Sequence, residues 1–131
     1  MEYAIDIFDL VNNHNDYQFY KLSIDGVCLF DEFLKEIESI SQDKKNFAKI
    51  LFLMDNFSAK PYPKQKFNHI VANKNERTDI YEFKSDSLRV YVILQKPNIY
   101  IVRGGWKKNQ QRDIDKVKND TKEFNPNDIQ L

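Results

Sequence analysis

The segment from Thr78 to Arg112 constrains the fold more than any other part of the chain. It holds three runs rich in Ile, Val, Tyr and Phe, separated by Ser85-Asp86-Ser87 and Lys96-Pro97-Asn98. Strand-forming runs punctuated by turn residues at this spacing predict an antiparallel meander. In the first run Ile80, Glu82 and Lys84 share one face, and Asp79, Tyr81 and Phe83 the other. In the second, Leu88, Val90, Val92 and Leu94 oppose Arg89, Tyr91 and Ile93. The third sets Ile99, Ile101 and Arg103 against Tyr100, Val102, Gly104 and Trp106. Both faces of the last two runs are largely apolar, so these strands belong inside a sheet covered on two sides. Arg89 and Arg103 interrupt that pattern. A cation inside a packed strand needs a partner. Each is therefore either half of a structural ion pair or the floor of a site, and strand spacing favours the ion pair.

The flanks supply the cover. Phe33, Leu34, Ile37 and Ile40 fall on one helical face after Asp31, which is placed to cap a helix. Ser41-Gln42-Asp43 breaks that helix and offers a cap for a second, striped by Phe47, Ile50, Leu51, Met54 and Phe57. Two short helices in a hairpin, with their stripes against one face of the sheet, are the simplest arrangement. Pro61 and Pro63 end the helical region. Phe67 to Ala72 is a short strand or an irregular approach. After Gly104-Gly105, Asn109 is placed to cap a last helix running to Phe124 on a stripe of Ile114, Val117, Thr121 and Phe124. Asn125-Pro126-Asn127 stops it, and the end beyond is expected to fray. At the other terminus, Tyr3 to Leu10 and Tyr17 to Ile24 alternate weakly around an Asn-rich loop. They read as a hairpin or as two edge strands flanking a longer loop, closed by Gly26. The expected product is one α+β domain over residues 1–131: an N-terminal β extension (1–26) and a core (31–124).

Charge is unevenly spread. The formal net charge is zero, but residues 1–59 carry five cations against eleven anions, and residues 60–118 carry fourteen against six. Such asymmetry points either to a polyanionic partner for the basic half or to an acidic half folded over it. Other chemistries find little support. There is no Cys/His cluster, no Gly-rich phosphate loop and no HExxH spacing. The carboxylates are scattered and expected on solvated helix surfaces. His69 lies just before the meander, where a surface or capping role is the ordinary one. No metal or cofactor is expected. Cys28 is the only cysteine, no apolar run nears the roughly 20 residues of a membrane span, and the acidic N-terminus is unlike a secretory signal. A cytoplasmic, reducing location is expected.

A helical hairpin, a three-stranded meander and a basic segment leading into a C-terminal helix resemble the layout of the RelE/ParE toxin superfamily, most closely its HigB, or phage-derived Gp49-like, branch. The residues carrying the likeness are Ile80-Tyr81-Glu82-Phe83-Lys84, Leu88-Arg89-Val90-Tyr91 and Val102-Arg103-Gly104-Gly105-Trp106-Lys107-Lys108. The resemblance implies a metal-independent mRNA endoribonuclease, in many members ribosome-dependent, held inactive by a cognate antitoxin, a helix-turn-helix or other small helical protein. The RNA 2′-hydroxyl attacks the adjacent phosphate, so the site must supply a base, a stabiliser of the phosphorane and an acid for the leaving oxygen. By position Lys84 is implied as base or phosphate contact. Arg89 and Arg103 are implied as phosphorane stabilisers, since arginine suits bidentate phosphate contact. Lys107, Lys108 or Arg112 would bind backbone or assist the leaving group, and Trp106 or Tyr91 would stack on a base. The alternative is a non-catalytic domain of the same fold that binds protein or nucleic acid, which the neutral net charge and the additional N-terminal segment favour.

Overall fold

The computed structural model describes residues 1–129. Six strands form one mixed sheet: β1 (Tyr3–Ile7), β2 (Gln18–Ile24), β3 (Phe67–His69), β4 (Ile80–Ser85), β5 (Leu88–Gln95) and β6 (Asn98–Trp106). Their spatial order is β1-β2-β6-β5-β4-β3. Every neighbouring pair is antiparallel except β2 with β6, which is parallel. Helices α1 (Leu29–Ile37) and α2 (Ser41–Asp55) lie between β2 and β3, and α3 (Gln110–Asp120) follows β6. This is an α+β protein, as the pattern of strands and helices predicts. The N-terminal segment is an antiparallel pair whose second strand joins the meander through β6. Among the described residues no helix is long and apolar enough to cross a membrane.

The sheet is covered on both faces. On one, Phe30, Phe33 and Ile37 of α1 and Phe47, Ile50, Leu53 and Met54 of α2 pack against Phe83, Leu88, Val90, Val92, Ile99 and Ile101. On the other, Val117 of α3 and Phe124 beyond it pack against Leu22, Ile80, Tyr91, Ile93, Tyr100 and Val102. Each fully buried Leu, Ile, Val or Phe side chain contributes about 1.5–3 kcal/mol. The period-2 sets of β4 and β5 fall as the sequence predicts.

β6 departs from its expected alternation. Val92 pairs with Ile101, but Tyr91 pairs with Arg103, so Val102 is an extra residue in the strand. Such a bulge reverses the facing of everything beyond it. Arg103 therefore lies on the α3 face with Tyr100 and Val102, while Gly104 and Trp106 move to the α1/α2 face. The two glycines admit a helix on each side. A Cβ on Gly104 would overlap the Phe33 ring of α1, and one on Gly105 would overlap the Asp113 carboxylate of α3.

The helix starts also differ from expectation. α1 begins at Leu29, so Asp31 lies in its first turn and meets Lys21 at 2.9 Å rather than capping. The residue before α2 is Ile40, and neither it nor Asn109 before α3 makes a side-chain cap. α3 is preceded by a 3-10 turn at Lys107–Asn109 and ends at Asp120, with Thr121 and Phe124 still buried beyond it. Only Phe67–His69 of the expected 67–72 run is strand. Pro126–Asp128 forms a 3-10 turn capped by the Asn125 side chain. The expectation of a frayed end otherwise falls on residues 130–131, outside those described.

Candidate functional site

The meander assembles a charged cluster beneath α3. Register sets Glu82 opposite Tyr91, Tyr91 opposite Arg103, and Lys84 opposite Arg89. α3 closes over them with Gln110 and Asp113. The exposures are 1% for Glu82, 6% for Arg89, 2% for Asp113 and 0% for Tyr91. Arg89 Nε lies 3.9 Å from Glu82 Oε1. Its Nη1 donates to the carbonyls of Asp86 (2.7 Å) and Leu88 (2.8 Å). The Glu82 carboxylate accepts from Gln110 Nε2 at 2.7 Å and from Asn68 Nδ2 at 3.1 Å. Arg103 Nη2 and Arg112 Nε approach the same oxygen, Asp113 Oδ1, at 3.7 and 3.8 Å. The cluster is compact but incompletely paired. Among the described residues, Arg89 Nε, Arg103 Nε, Tyr91 OH and Asp113 Oδ1 are buried without a hydrogen-bond partner. Burial pushes the Tyr91 phenol well above its usual pKa, and the Glu82 and Asp113 carboxylates add to the shift. At neutral pH Tyr91 is thus a proton donor and not a base.

The residues singled out in sequence fall into three places. Arg89 and Tyr91 are in the covered cluster. Tyr91 is wholly enclosed, so it cannot stack on a base in this conformation, contrary to the role implied for it. Arg103, Trp106 and Arg112 line a cleft of about 200 Å³ that also holds Glu32 and Glu36 of α1 and Asp113. Three carboxylates against two arginines make this cleft a poor seat for a second phosphate charge unless one carboxylate gives way. Trp106 is anchored there, its Nε1 donating to Asp43 Oδ2 at 3.1 Å and its ring edge-on to Phe33 at 5.2 Å. Lys84 lies apart, at the rim of a groove between α2 and β4. Lys107 and Lys108 are exposed on the 3-10 turn, and the Lys107 N–H donates to Ser87 O at 2.7 Å beside the β4–β5 turn.

Neutralisation of the two arginines thus comes from within the basic half, from Glu82 and Asp113, with α1 acids at the rim of the cleft. The acids are not all solvated. Most carboxylates lie at the surface, but Glu82, Asp113 and Asp43 are buried. Glu82 carried a usable signal, being an acid on the Ile80 face of a strand beside Arg89. Asp113 carried none, because α3 turns it inward only after the bulge has set the direction of Arg103. His69 is exposed, and its ring lies 2.6 Å from Thr78 O. Among the described residues no group of three His, Cys, Asp or Glu side chains is placed to hold a metal.

No family model, no curated protein and no solved structure matches this chain.

Proposed function

We propose that the chain is a RelE/ParE-type toxin of the HigB branch that cleaves messenger RNA on the ribosome without a metal and is restrained by a cognate antitoxin. The observation supporting this most is the bulge at Val102. It turns Arg103 onto the face that already bears Arg89 and Tyr91, so arginines from two meander strands share that face, with Lys84 opposite Arg89 on the third strand but apart from the cleft. The helical hairpin, meander and C-terminal helix of the resemblance are also present in order.

In this reading Lys84, half-exposed and without a salt-bridge partner among the described residues, meets the scissile phosphate or takes the 2′-hydroxyl proton. Attack of the 2′-oxygen on phosphorus gives a phosphorane dianion, and loss of the 5′-oxygen, which takes a proton from Lys107 or Lys108 as it leaves, gives a 2′,3′-cyclic phosphate and a 5′-hydroxyl. Arg103, 18% exposed at its side chain, is the nearer arginine to solvent. A phosphate that displaced Asp113 would gain its fork as a bidentate donor. Arg89 holds the floor through Glu82. Lys107, Lys108 and Arg112 supply exposed charge for the backbone, and Trp106 edges the cleft.

The second reading, a non-catalytic RelE-fold module that binds nucleic acid or protein, is favoured by one observation: Arg89 is almost completely buried against Glu82. Induced expression in bacteria separates the two. Growth arrest with wild type, relieved by Lys84→Ala and by Arg103→Ala, is expected for the toxin. Unimpaired growth with well-expressed wild type supports the binding module.

A further inference from the structure

We infer that the groove between α2 and the β3–β4 edge is a track for single-stranded RNA, with bases stacking on Phe52 and Tyr62 and phosphates held by Lys66, Lys84 and Lys49. The inference deepens the RNA reading above and rests on it, since it names where the strand runs beyond the charged cluster. The groove encloses about 440 Å³, more than twice the cleft at Arg103, and is lined by these five residues with Leu53, Gln65, Ser85 and Asp86.

Three features point to this ligand. The first is charge. The pairing of Phe67 with Phe83, extended one residue, sets Lys66 opposite Lys84, and the Lys84 N–H donates to Lys66 O at 2.8 Å. Lys84 in turn opposes Arg89. Three cations thus lie in a row across β5, β4 and the residue just before β3. Like charges directly opposed across strands are destabilising, and only Arg89 has a carboxylate partner among the described residues. An anion between Lys66 and Lys84 relieves that repulsion. Lys49 adds a third lysine, tied to Asp86 only loosely at 3.8 Å with both side chains about two-thirds exposed (64% and 66%).

The second feature is apolar. Phe52 is 66% exposed on α2, in a helix whose other aromatic, Phe47, is packed into the core. Tyr62 lines the same groove. Its hydroxyl donates to Leu53 O at 2.8 Å, which fixes the ring. A free aromatic face beside lysines is the arrangement that holds single-stranded nucleic acid with little sequence preference. The third is continuity. Lys84 lines this groove and its backbone pairs with Arg89, so the groove borders the strand segment that carries the charged cluster.

The test is fluorescence anisotropy of the full chain with a short labelled oligouridylate, at low and near-physiological salt. Phe52→Ala, at an exposed position that leaves the core intact, is expected to weaken binding about tenfold. Lys66→Ala and Lys84→Ala are each expected to reduce the salt slope by about 0.7. Single strands should bind better than a duplex of the same length, because only unpaired bases offer their faces. Wild-type RNA binding that is insensitive to Phe52→Ala and Lys66→Ala overturns the groove while leaving the RNA reading in place. Equal affinity for duplex, or equal Phe52-dependent binding of an oligoglutamate peptide, overturns single-stranded RNA as the occupant. Absence of wild-type binding at low salt overturns the groove and the RNA reading together.

Discussion

The two faces of the sheet are built from the same strands and solve different problems. The α1/α2 face is almost entirely apolar: Phe30, Phe33, Phe47, Ile50 and Met54 meet Phe83, Val90, Val92 and Ile101. The α3 face is apolar only where Val117 and Phe124 cover Leu22, Ile80, Ile93 and Tyr100. Toward the β4–β5 turn it changes to Glu82, Arg89, Arg103 and Asp113, with four buried polar atoms lacking partners among the described residues. Nothing in strand propensity calls for that change. An apolar core of similar volume is commonly as stable as a buried ion pair or more so. Stability therefore does not explain why this half of the face is charged. The anion site proposed above would account for it, and it would use the arginines that carry the resemblance.

The largest test of the contrast is removal of one charge from the pair. Arg89→Met leaves Glu82 buried and uncompensated, and should destabilise the fold by about 3–5 kcal/mol in urea unfolding. Adding Glu82→Leu should recover most of that loss, because the face then becomes as apolar as the opposite one. A double variant as unstable as the single one would mean that the pair is a structural necessity. A smaller effect is expected at Tyr91. Its hydroxyl is buried without a partner, so Tyr91→Phe should be neutral or stabilising by about 1 kcal/mol. The pH dependence gives an independent check. The folded-state pKa of Tyr91 is raised, so the folded state binds the proton more tightly than the unfolded chain. The corresponding stability is full below the ordinary tyrosine pKa of about 10. It is lost as pH climbs above that value. Alkaline unfolding that is unchanged in Tyr91→Phe would show that this phenol is not the group responsible.

The contrast also shows what the sequence could reveal. The meander, the helical stripes and the sidedness of β4 and β5 follow from periods of 2 and 3.6, and hydrophobic burial enforces them. Leu88, Val90 and Val92 had to share a face. A period-2 pattern puts Arg103 on the wrong face because a bulge adds one residue without a local signature and inverts the alternation beyond it. Asp31, Ser41 and Asn109 have good capping chemistry, yet each lies where a neighbouring contact or turn sets the helix start. The groove at Phe52 is not legible in the sequence as a groove, because it joins α2 to the β3–β4 edge, residues distant in sequence whose proximity only the tertiary fold creates. Phe52 itself was the available signal, an aromatic off the apolar stripe of α2.

Cleavage of a defined message in a cell-free translation reaction, mapped by primer extension, tests the central claim most directly. Purified wild-type protein should cut the message during translation, leaving 2′,3′-cyclic phosphate ends. Lys84→Ala and Arg103→Ala, each folded by circular dichroism, should lose the cut. A message left intact by folded wild-type protein at every ratio to ribosomes, or cleavage that both variants retain, contradicts it.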